Sequence, residues 1–62
     1  MVGKIFVITQ DLGSLLREGM VVHVHKETDK EFFVEILNAH EDMFITTFKV
    51  AKALRKFFHE IS

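Results

Sequence analysis

The chain has no cysteine, and that absence excludes both a disulfide framework and a thiolate metal site. Domains this small usually need some staple, because a chain of about 60 residues buries only about 60% of its unfolded surface. Oligomerisation, a bound partner or a dense apolar core are the routes left. No stretch approaches the length of a membrane span, and the apolar run Ile5 to Ile8 is too short for a signal-peptide core and carries no cleavage-site pattern. The expectation is a soluble, cytoplasmic protein with no membrane partner. No Ser/His/Asp order, phosphate-cradling glycine loop or metalloprotease motif is present, and 62 residues leave little room for a deep pocket. A non-enzymatic protein without a cofactor is therefore expected.

What the chain does have is apolar bulk: 48% of residues are hydrophobic and seven are phenylalanine, more than a disordered chain carries. The net charge of −1 conceals an uneven distribution. Met1 to Phe48 holds four basic and eight acidic residues, whereas Lys49 onward holds four basic residues and only Glu60. An acidic body with a basic tail can steer partners even near neutrality.

Met20 to Leu37 is two β-rich runs joined by a charged turn, a hairpin signal. Side chains alternate sides along a strand, so Val22 and Val24 share one face while Val21, His23 and His25 share the other. In the second run Phe32, Val34 and Ile36 line one face and Phe33, Glu35 and Leu37 the other. Residues 4–9 form a β-branched and aromatic run that predicts a first strand. The segment from Gln10 to Gly19 breaks the pattern with two glycines; Ser14 would cap one helical turn and Gly19 would close it with a left-handed backbone. Leu12, Leu15 and Leu16 would pin this loop to the core. After a connector, residues 43–48 predict a fourth strand. Helical spacing from Val50 to Ile61 places Val50, Ala53, Leu54, Phe57 and Ile61 on one arc and Lys49, Lys52 and Lys56 opposite, predicting an amphipathic helix over 49–61 with Thr47 as its cap.

The fold expected is one α+β, mainly β domain: strands at about 4–9, 20–26, 31–37 and 43–48 in an antiparallel meander, then the C-terminal helix. A glycine-containing loop at Asp11-Leu12-Gly13, followed by a strand opened by glycine in Glu18-Gly19-Met20-Val21-Val22-His23-Val24, resembles the small Src-homology-3-like barrels. The resemblance spans roughly the first fifty residues and implies a partly closed barrel. Members that bind proline-rich peptides line their groove with Tyr and Trp; this chain has neither, so that activity does not follow from the resemblance.

His23 and His25 project from one strand face within reach of one ion, with His40, Glu27 or Glu35 as completing ligands. A pair without a third ligand is more simply an exposed strand surface, and no metal is expected. Lys49, Lys52, Arg55 and Lys56, with His59, would offer phosphates a basic helix face, although the acidic remainder of the chain opposes a polyanion. Ile5-Phe6-Val7-Ile8, Phe32-Phe33 and Met43-Phe44-Ile45 place large apolar side chains on both faces of their strands at once. One short helix cannot screen the second face, and exposed apolar patches mark association sites. The leading expectation is a small regulatory protein-interaction module, acting as a homodimer or by docking an apolar sheet or helix surface, that binds and modulates or inhibits a larger protein through Phe33, Leu37, Phe58 and the His23/His25 face. The alternative is a nucleic-acid-binding accessory protein using Lys49, Lys52, Arg55 and Lys56.

Overall fold

A computed structural model describes all 62 residues, Met1–Ser62. Five antiparallel strands, β1 (Ile5–Ile8), β2 (Val21–Glu27), β3 (Glu31–Ile36), β4 (Thr47–Ala51) and β5 (Phe58–Glu60), form one sheet in the order β4-β3-β2-β1-β5. A 3-10 helix, Lys52–Phe57, joins β4 to β5. The hairpin lies at the sheet centre, with Val22 opposite Ile36 and Val24 opposite Val34.

The period-two pattern decides which residues enter the core. Phe6 and Ile8 of β1, Val22 and Val24 of β2, Phe32, Val34 and Ile36 of β3, Val50 of β4 and Phe58 of β5 are buried on one side, and Leu16 from the long loop joins them. Phe58 sits between Phe6 and Phe32, with ring centroids 5.8 Å and 6.3 Å away. Between Val24 and Lys26 the register slips by one residue, which leaves His25 as the extra residue of a bulge and brings Lys26 opposite Phe33.

The long loop after β1 is held by its own polar groups. The Asp11 carboxylate accepts the Glu18 N–H at 2.9 Å and pairs with the Arg17 guanidinium at 3.1 Å. These contacts, the backbone bond first, hold the Asp11 carboxyl below its ordinary value. Gly19 has φ +88°, the left-handed backbone expected of it, and donates its N–H to the Ile8 carbonyl at 2.9 Å. The Ser14-capped helical turn does not form; Gly13 to Leu16 is a bend, closed by the Leu12 N–H donating to the Leu16 carbonyl. Asn38 fastens the other end of the hairpin, accepting from the Val21 N–H at 2.8 Å and donating to the Gly19 carbonyl at 3.2 Å.

The structure corrects the expected fold in three places. There are five strands rather than four, and the sheet ends in two edges, β4 and β5, so it does not close into a barrel. The strand expected over 43–48 begins instead at Thr47 and runs to Ala51, leaving residues 39–46 as a loop. No amphipathic helix covers residues 49–61. That stretch is shared among β4, one 3-10 helix and β5, and Thr47 opens a strand instead of capping a helix.

The reason is a competing partner. An isolated helix of about 13 residues is marginal in water, whereas β1 offers an open edge that β5 fills with Phe6 opposite Glu60, Val7 opposite His59 and Ile8 opposite Phe58. Thr9 ends the 3-10 helix by donating both its N–H and its hydroxyl to the Phe57 carbonyl, at 2.8 Å and 3.0 Å.

Candidate functional site

The residues singled out in the sequence fall into three groups. Phe33, His23 and His25 do share a face, the side of the sheet away from the core, and Leu37 follows on it, its N–H donating to the Val21 carbonyl. His23 stands opposite Glu35 and Ile5, and the His25 ring meets Phe33 edge-on at 6.4 Å. The Lys26 ammonium lies 5.1 Å from the centre of the Phe33 ring. Phe33 is thus half-covered by its own neighbours, while Leu37 is 50% exposed. Phe58 belongs to neither face as a contact. It is 3% exposed inside the core, a correction that follows from its being a strand residue opposite Ile8 and not the rim of a helix.

The four cations are dispersed. Lys49, on β4, approaches Glu31 at 3.7 Å, and Lys52 reaches Glu27 at 2.7 Å. The Lys52 bond, more than any other contact, holds the Glu27 carboxyl below its ordinary value. The Arg55 guanidinium stacks 4.9 Å from the Phe6 ring centre and donates to the Phe58 carbonyl at 2.8 Å. The Lys56 ammonium lies over the Phe57 ring. These side chains serve contacts within the chain and form no continuous basic stripe. No group of three or more His, Asp or Glu side chains gathers as a metal site requires.

A different surface is more open. Three apolar side chains project from loops: Leu15 at 51% exposure, Ile45 at 58% and Phe44 at 99%. Leu15, Phe44 and Ile45 line one depression with Met43 and Asp42. Leu15 also lines a neighbouring groove of about 270 Å³, bounded by the loop around Leu12, by Phe48 to Ala51 of β4 and by Leu54 of the 3-10 helix. Leu15 is the link between them. On the opposite side of β4, a second concavity of about 290 Å³ is lined by His25, Phe33, Thr47, Phe48 and Lys49.

Phe44 and Ile45 appeared in the sequence only as a two-faced strand. Nothing local separated that reading from a loop carrying two exposed apolar residues, because the strand boundary depends on where β3 finds its partner. The chain matches no family model, no curated protein and no solved structure. No helix is long and apolar enough to cross a membrane.

Proposed function

We propose that this protein is a small non-enzymatic interaction module that binds and modulates a larger protein, and that the contact surface is the loop-and-groove side built on Leu15, Phe44, Ile45 and the β4 edge. One observation carries the reading: the Phe44 ring is 99% exposed at a loop tip, next to two further exposed aliphatic side chains and an apolar groove. Burying such a ring is favourable by about 1.5–3 kcal/mol. A domain of this size cannot readily forgo that within its own fold, so a ring left in water, beside others, suits a partner's pocket. Phe33, Leu37 and the His23/His25 face extend the surface past β4, through the concavity that Phe33 and His25 share with Lys49.

The structure is that of a small antiparallel β fold with an open five-stranded sheet, and the Src-homology-3-like resemblance is not carried further. Proline-peptide binding is not drawn from it, since the aromatic residues here are all phenylalanine. The test is affinity capture with the wild-type protein and with Phe44→Asp. A discrete protein retained by the first and lost by the second supports the reading. Equal retention by both overturns it.

A further inference from the structure

The β4 strand ends the sheet, and its ladder to β3 fixes which of its backbone groups face outward. The Ile36 N–H donates to the Thr46 carbonyl and the Lys52 N–H to the Lys30 carbonyl, so in this antiparallel register the groups of Phe48 and Val50 also point towards β3. Those of Thr47, Lys49 and Ala51 point away. None of the backbone bonds outside the regular elements involves Thr47 or Lys49, and no side chain bonds to their backbone. The other edge, β5, is only three residues long and has Lys4 paired with Glu60 at 3.5 Å across it. Such short, charged edges discourage pairing.

What distinguishes β4 is that both concavities meet on it. The apolar groove and the Phe33/His25 concavity share Phe48 and Lys49. A strand laid against this edge would turn alternate side chains to opposite faces. One set would enter the groove at Leu12, Leu15 and Leu54; the other would lie beside Lys49 and Phe33. We infer that the β4 edge takes up an extended segment of the partner as a sixth antiparallel strand, with apolar residues at alternate positions facing the groove and an acidic residue beside Lys49. This inference rests on the interaction reading above and specifies its geometry.

Charge selects the occupant. A second copy of the chain, pairing β4 with β4 so that all three outward residues are used, would set Lys49 directly opposite its own counterpart, and like charges directly opposite are destabilising. Lysine on an edge strand is a common block to self-pairing of this kind. Lys49 also opens the chain's basic tail, in which only Glu60 is acidic. An acidic residue of an extended segment would share the Lys49 ammonium with Glu31, 3.7 Å away, where a second copy would set two lysines against each other.

The test uses the full chain and three blocked octapeptides: one alternating Val and Glu, its twin N-methylated on the amides of its pairing edge, and one alternating Val and Lys. Amide exchange and chemical shifts of Thr47 and Lys49 are followed by NMR. The Val/Glu peptide is expected to slow exchange of both amides and to bind about tenfold more tightly than its N-methylated twin, the loss expected from two backbone bonds. Lys49→Glu should reverse the preference towards the Val/Lys peptide. Equal binding of the N-methylated twin would overturn strand addition while leaving the interaction reading intact. Absence of binding by the Val/Glu peptide would also overturn it, as would slow exchange of the same amides in the protein alone with self-association. The capture experiment with Phe44→Asp judges the interaction reading separately.

Discussion

Two phenylalanines that look alike in the sequence are expected to behave oppositely when shortened. Phe44 is 99% exposed, so Phe44→Ala removes no buried surface and leaves no cavity; its stability should stay within about 0.5 kcal/mol of wild type. Phe58 is 3% exposed and packs between Phe6 and Phe32, so Phe58→Ala loses the transfer free energy of the ring and opens a cavity beneath β1 and β3. Such changes in well-packed cores cost about 3–5 kcal/mol. Total stability for 62 residues, at roughly 0.05–0.15 kcal/mol per residue, is about 3–9 kcal/mol. The Phe58 variant should therefore keep at most about two-thirds of that and at the lower end should not fold. Urea denaturation followed by far-UV circular dichroism measures both. A Phe58→Ala midpoint equal to wild type, or a Phe44→Ala loss above about 1 kcal/mol, would refute the assignment of the two rings to core and surface.

Three further outcomes follow from single positions. Gly19→Ala should cost about 1 kcal/mol, because a Cβ there meets no neighbouring atom but an L side chain resists φ +88°; an unchanged urea midpoint would mean that the turn relaxes freely. The Asp11 and Glu27 carboxyls are held below their ordinary values of 3.8 and 4.5, so their stabilising contribution is complete above those values and is lost as pH falls through the lower folded-state values. Thermal melts should fall as pH drops below about 4.5, and Glu27→Gln should flatten that slope; a slope identical to wild type would show that the Lys52 contact does not hold in solution. If nucleic acid were the partner, changing Lys49, Lys52, Arg55 and Lys56 to Glu should abolish its binding, and affinity should fall steeply with salt. The dispersed, internally engaged cations predict instead no salt-dependent mobility shift with duplex or single-stranded DNA.

The hairpin and β1 were legible because their signals are local. Val22, Val24, Phe32, Val34 and Ile36 recur at every second position of their strands, and one-residue errors at the strand ends do not change which face each occupies. The end of the chain was not legible for a complementary reason. Phe57-Phe58-His59-Glu60-Ile61 satisfies a helical arc and a strand alternation equally over so few residues, and β1's free edge decides between them. That edge lies fifty residues away in sequence. The same non-locality moved β4 from 43–48 to Thr47–Ala51: both Met43-Phe44-Ile45 and Phe48-Lys49-Val50 fit a strand, and Val50 opposite Phe32 fills the core where the earlier register would not. The site inherits this error. With β4 displaced, Phe44 and Ile45 become loop residues in water, and the basic residues expected on one helix face are divided among β4 and the 3-10 helix.

A protein partner is proposed to dock on the Phe44 side of the molecule. The measurement that tests it most directly is affinity capture from a lysate by three tagged forms, the wild type, Phe44→Asp and Lys52→Glu/Lys56→Glu, with nuclease and at high salt. One discrete protein should be retained by the wild type after nuclease and salt, be absent from the Phe44→Asp sample, and be at most weakened in the double-lysine variant. Retention that survives Phe44→Asp but disappears with nuclease or with the lysines would contradict it.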